Sequence, residues 1–352
     1  MKQILFFTSF LIVIAQVSFS QTRIALQRGQ ETFVFGSFPV ALAAAEDGDV
    51  MYLPGGAIDI GNSYIEKSIS IYGAGHYPQY TQATGVTMLN GTIYLRQSDS
   101  EVPLENIHLE GFSISGGIMI GSSSSNQNVN QVTIKRCSMN TLYLSSSGSN
   151  GEADQVQVIE NVIRGTVYGG NAQNVLFSKN IIQGHFYYFN GNALFSNNVF
   201  LHTSTSSTIT SFRYITNSVF ANNVMLCSSA STCFNNMSAN TFNNNMWRFE
   251  FSVPSGSNGG NNIYNENQQV NEIFVNHTGH TFSYDFNYQL SEGSPGINAG
   301  TDETDIGIYG TNRPYKEGAV PSIPHIISRS IANETDTEGK LQVEIEVKAQ
   351  EE

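Results

Sequence analysis

The chain has 352 residues, of which 13% are charged, 40% hydrophobic and 11% aromatic, with a formal net charge of −13. The charged share is well below the usual quarter, while the apolar and aromatic share is too high for a disordered segment. An acidic balance with no run of Lys or Arg argues against a nucleic-acid partner or an anionic membrane surface.

Residues 1–20 read as a secretory signal. Lys2 gives a positive start, residues 4–15 an apolar run, and Ser18 and Ser20 small residues before a cut expected between Ser20 and Gln21. The alternative, an uncleaved anchor, is disfavoured because the run is short for a span. No other stretch approaches a transmembrane helix, so the mature chain is expected to be exported, extracellular or at the cell surface.

From there to residue 312 the chain repeats itself. "NVLFSKNIIQ" (174–183) is nearly copied by "NALFSNNVFL" (192–201). An inward apolar residue recurs at Leu53, Ile71, Met88, Leu109, Ile134, Val158, Phe177, Phe195, Phe220 and Phe242, a period of roughly 21 residues. Two or three places after each comes a turn residue. It is glycine early (Gly55, Gly73, Gly91, Gly111), Cys137 at the crossover, and then Asn161, Asn180, Asn198, Asn223 and Asn245. Glycine and asparagine adopt the left-handed backbone region most cheaply, so these residues are expected to form the bends. One or two apolar residues follow, as in Val162-Ile163 and Ile181-Ile182. Short segments rich in Val, Ile and Phe exclude helical repeats. Coils of this kind stack about 4.8 Å apart, and stacked asparagines can bond along the axis. The expected fold is an all-β solenoid of about ten coils whose neighbours complete one another's core.

The segments "ALAAAEDGDVMYLPGGAIDI" (41–60) and "KSISIYGAG" (67–75) resemble the start of the pectate-lyase-like right-handed parallel β-helix family. The resemblance covers about residues 35–310. It implies a short N-terminal capping helix, with Gly48-Asp49 leading into the first core strand. It also implies that "SEGSPGINAGTDETDIGIYG" (291–310) caps the other end.

Residues 313–324, with Pro314, Pro321 and Pro324, read as an extended linker. Residues 325–352 read as a small β tail, because Leu341, Val343, Ile345 and Val347 alternate with polar residues. With Ile326, Ile327 and Ile331, the tail is expected to form a hairpin packed on the end of the solenoid. Of the three cysteines, Cys227 and Cys233 could close a small loop, and Cys137 is expected inside.

A solenoid core is inert, so function must come from outward side chains aligned on one face. Tyr168, His185, Tyr187, Tyr188, His202 and Tyr214, with Arg213, fall on consecutive coils and form the candidate ligand face. Flat rings flanked by polar groups suit the apolar faces of sugars. Tyr168 and Tyr187 both follow a ladder asparagine by seven residues, and His185 shares its offset with Thr166 and Thr203. Arg164 and Arg248, the latter near Glu250, each come three places after a ladder asparagine and share another angular position where a guanidinium could hold a uronate. The intervening Gln183, Leu201 and Leu226 break that row. The acids Glu46, Asp47 and Asp49, and Asp302, Glu303 and Asp305, lie at turns; no cofactor is expected, with calcium the one ion considered. Polygalacturonase-like enzymes of this fold carry an Asp-Asp pair and Gly-His-Gly; here Gly184-His185 is followed by Phe186. The central coils 155–250 hold only Glu160 and Glu250 as acids, short of the two carboxylates a glycosidase needs.

The expected role is therefore a secreted or cell-surface protein that binds carbohydrate or adheres, without catalysis. The alternatives are a polysaccharide lyase or glycoside hydrolase with a divergent site, using His185 and Tyr187, and a purely structural surface solenoid.

Overall fold

The computed structural model describes residues 23–98, 101–121, 128–145, 152–202, 211–264 and 272–349. The expected signal segment and Thr203 lie outside the described residues.

The chain is mostly β, built on two long, largely parallel sheets of 12 and 14 strands, in each of which sequential coils pair rung upon rung. One coil shows the pattern: Val175–Ser178 lies in the first sheet, and Ile181–Ile182 and Phe186–Phe189 in two branches of the second. The earlier strands Gly56–Ile65, Thr87–Leu95, Ser113–Ile120 and Ser138–Tyr143 run unbroken across both branches. The second sheet therefore curls. Phe177, Phe195, Phe220 and Phe242 stack in line at 4.5–5.2 Å, because equal register places equal residues over one another.

Bend and ladder occupy adjacent positions. At this bend the left-handed residues are Gly111, Arg136, Glu160, Lys179, Asn197, Asn222 and Asn244, each one place before a buried residue, which is Phe112, then Cys137, then a ladder asparagine. Gly111 is thus a bend residue, whereas Asn161, Asn180, Asn198, Asn223 and Asn245 are not left-handed. From Asn180 on, each ladder asparagine accepts, on its Oδ1, the backbone N–H and the side-chain amide of the one before it, at 2.9–3.1 Å. The series runs from the Cys137 N–H to Asn262. All five side chains are buried, so their polar atoms must find protein partners.

The second-sheet strands Val162–Ile163, Ile181–Ile182, Val199–Phe200, Val224–Met225 and Met246–Trp247 bury both of their residues. Successive side chains face opposite ways. Ile182, Phe200, Met225 and Trp247 therefore join the main core, while Ile181, Val199, Val224 and Met246 point outward beneath a second layer. That layer is the chain after residue 272, which returns along the flank and supplies Ile273, Phe274, Tyr288, Ile306, Ile308 and Tyr315.

The bend residues hold this strap in succession. Asn244 Nδ2 donates to Ala299 O, Asn222 exchanges two bonds with Thr301, and Asn197 Nδ2 donates to Gly307 O. Glu160 accepts from Lys316 N–H, Arg136 donates to Val320 O, and Glu110 accepts from Ser322 N–H and Oγ. Residues 291–310 therefore lie along the side of the stack and do not cap its end. The far end is closed by Phe249, Phe251 and Val253, with Phe251 stacked 4.2 Å from Trp247. The near end carries the helix Phe38–Ala44, with Phe38 and Ala41 in the core.

The stretch expected to be a free linker is docked as far as Ser322. Pro321 seats on Gly111, where a Cβ would come within 2.3 Å of its ring. His325–Ile331 and Val343–Lys348 do form an antiparallel hairpin. Ile331, Val343, Ile345 and Val347 stay more than half exposed, so the hairpin is not packed on the solenoid. Cys227 and Cys233 are disulfide-bonded, and Cys137 is a buried thiol pushed up to about 12 by burial.

Candidate functional site

The outer branch of the second sheet places Tyr64, Tyr94, Met119, Tyr143, Tyr168, Tyr187, Arg213 and Asn235 at one register position on successive rungs. Tyr168 and Tyr187 are therefore neighbours in a straight row. Their rings stand 5.4 Å apart and Tyr143 lies 4.3 Å beyond Tyr168. The same stacking closes the faces on which a sugar would lie, leaving edges and hydroxyls outward. Burial raises the Tyr143 and Tyr187 phenols, which stay protonated donors at neutral pH.

Tyr188 and Tyr214 stack 5.0 Å apart with Arg213 over the Tyr214 ring. Both tyrosines are left-handed, with φ of 59° and 57°. Bulky residues rarely take this conformation, and here it interrupts the strand alternation beside Tyr187. His185 is half-buried, with its ring 6.3 Å from Tyr187. Its register partners are Thr166 and Ser211. His202 is buried against the Ser211 hydroxyl, off the row.

The arginine row is covered. Arg164 donates to the Tyr284 hydroxyl at 3.2 Å, Gln183 accepts from Phe282 N–H, and Leu201 and Leu226 are buried in the second core. Arg248 is half-buried and donates to Leu226 O, and burial lowers its pKa; Glu250 is exposed. The acidic turns are also engaged. Asp49 and Glu46 pair with Arg28, Asp302 accepts from Thr304, and Asp305 accepts from Asn298 N–H. Among the described residues no group of three His, Cys, Asp or Glu is arranged to hold a metal.

A recess of about 380 Å³ lies where the strap meets the loop after the second coil. Its walls bring together Tyr77, Gln79 and Tyr80 with Tyr284, Asp285, Tyr288, Tyr309, Tyr315 and Glu317. Tyr80 and Tyr309 each donate to one Glu317 oxygen, at 3.0 and 2.9 Å. The Tyr77 and Tyr315 hydroxyls meet at 3.0 Å. Burial raises the pKa of Tyr77, Tyr80, Tyr309 and Tyr315, so these phenols are neutral. Behind Tyr284, His76 Nδ1 lies 3.2 Å from its hydroxyl, and burial pulls His76 down to about 3, so the imidazole is neutral.

None of these recess residues was signalled by the repeat, since they come from segments more than 200 positions apart. The available signal was tyrosine clustering outside the ladder, at Tyr77 and Tyr80 and again at Tyr284, Tyr288, Tyr309 and Tyr315. No protein-family model matches the chain, and no curated protein is similar to it.

Proposed function

We propose that this is an exported right-handed parallel β-helix protein, similar in architecture to the pectate-lyase-like family, that binds a glycan without acting on it. The observation that carries the reading is the tyrosine-lined recess. Its volume suits one or two sugar units. Its rings offer apolar faces, and Glu317, Asp285 and Gln79 offer acceptors and donors for hydroxyl groups. The tyrosine row 143–168–187 supports the reading as an extended edge of phenol hydroxyls for a longer chain. Retention of the mature chain on immobilised polysaccharides tests this. Tyr80→Ala, at a half-exposed ring, should abolish retention, whereas unchanged retention would contradict the recess as the site.

One observation favours a second reading, a polysaccharide lyase: the Tyr284 hydroxyl lies between Arg164 and neutral His76. A phenol so held can move a proton. A uronate substrate, however, would meet the exposed carboxylates of Asp285 and Glu317 at the rim of the recess, and like charges repel. The binding reading is therefore preferred. Unsaturated product that disappears in Tyr284→Phe would reverse this choice.

A further inference from the structure

We propose that the recess selects an organic cation, and that the group it holds is the ammonium of an amino sugar. This rests on reading the recess as a ligand site and names the chemistry of its ligand. Two carboxylates, Asp285 and Glu317, line the recess, and no Lys, Arg or His is among the lining residues. Glu317 is fixed by two phenols, one on each oxygen, and each oxygen keeps a lone pair for a further donor. Asp285 is touched at its Oδ1 by the Gln79 amide at 3.4 Å. Both residues are exposed at the rim, and such a pair disfavours an anion and attracts a cation.

The rings point the same way. Neutral phenols carry a negative π face, and a cation over it is attracted more strongly as water is excluded. Tyr77 packs edge-on against Tyr80 and Tyr284, with interplanar angles of 76° and 75°. The rings are therefore set at right angles as walls, unlike the parallel stack of the outer row. Carboxylates at the rim and rings in the walls are the two elements that recognise an ammonium group. The formal charge of −13 would draw a cationic chain toward the protein, but only the recess would discriminate one ammonium from its acetylated form.

Isothermal titration calorimetry tests the proposal with oligomers of glucosamine, N-acetylglucosamine oligomers of equal length, and choline. The glucosamine oligomer should bind at least about tenfold tighter than its acetylated form. Asp285→Asn with Glu317→Gln should abolish that preference. The charge-matched control Glu344→Gln with Glu346→Gln, on the exposed hairpin, should leave it intact. Choline binding as tightly as the glucosamine oligomer would assign the recess to a free ammonium headgroup, and would overturn the amino-sugar assignment and the glycan reading. Equal binding of both oligomers would overturn the charge selection while the glycan reading stands. A preference that survives the double substitution would overturn the placement. No binding of any probe would overturn both readings.

Discussion

Each bend is a division of labour between two residues. The left-handed position is filled by Arg136, Glu160, Lys179 and asparagines, although glycine would take it with less strain. Five of the six bend side chains from residue 136 onward hold the strap, which accounts for that choice. The next residue is asparagine because its carboxamide donates twice through Nδ2 while accepting twice on Oδ1, which a hydroxyl with one hydrogen cannot do. Asn198→Leu should therefore leave the Asn180 backbone N–H and one of its two amide hydrogens without an acceptor, the other still meeting Val158 O, costing about 1–3 kcal/mol. Asn197→Gly removes one strap bond but relieves the backbone, and should cost less. Equal melting of Asn198→Leu and the parent chain in calorimetry would contradict the ladder argument. At the first coil, hydrogen bonds from Arg28 hold the Asp49 carboxyl below its usual value despite burial. A depressed folded pKa contributes stability that is present above the unfolded value, near 3.9, and is lost as pH falls through the folded one. Asp49→Asn should flatten the pH dependence of denaturant midpoints below about pH 4, and an unaltered acid slope would contradict this. The asparagine series was legible because its spacing is regular. Its separation from the bend was not, since residues as unlike as Arg136 and Asn244 share that backbone state.

The strap follows from the two-residue strands. Pairs such as Ile181-Ile182 and Val199-Phe200 are apolar at both positions, and a strand so composed needs cover on both faces. That second cover could be inferred from the pairs themselves. Its identity could not, because residues 272–322 have no periodicity and meet the ladder through irregular backbone. The prolines that suggested a linker mark a segment that cannot pair in a sheet, which is what lets it cross the rungs. A chain ending at residue 324 should keep the melting temperature and cooperativity of the full protein, since the hairpin beyond is exposed and a lone hairpin adds little. A chain ending at residue 298 should lose several kcal/mol, because Ile306, Ile308 and Tyr315 would no longer cover the second core. Equal stability of the two truncations would show the strap to be ornamental. Gly111→Ala is a finer probe. It should strain the bend and displace Pro321, giving faster hydrogen exchange near Val320 than in the parent.

At the scale of the molecule, a stack closed at both ends and bound along one flank leaves two surfaces for ligands. The outer branch carries the tyrosine row, and the seam of strap and second-coil loop carries the recess. Of the row, the Tyr168–Tyr187 pair was legible from equal offsets within repeating coils, whereas Tyr64, Tyr94 and Tyr143 follow no ladder asparagine and were not. The recess depends on the strap folding back over more than 200 residues of sequence, and no local pattern records that return. The two surfaces also make different demands: ring faces are closed by stacking in the row and stand as walls in the recess. The most direct measurement is retention on a panel of acidic, neutral and amino-substituted polysaccharides, with absorbance of unsaturated ends and new reducing ends read in the same samples. Retention lost in Tyr80→Ala, reduced by about tenfold or less in Tyr168→Ala with Tyr187→Ala, and unaccompanied by new ends is the result this account predicts. New ends that vanish in Tyr284→Phe, or retention indifferent to Tyr80, would contradict it.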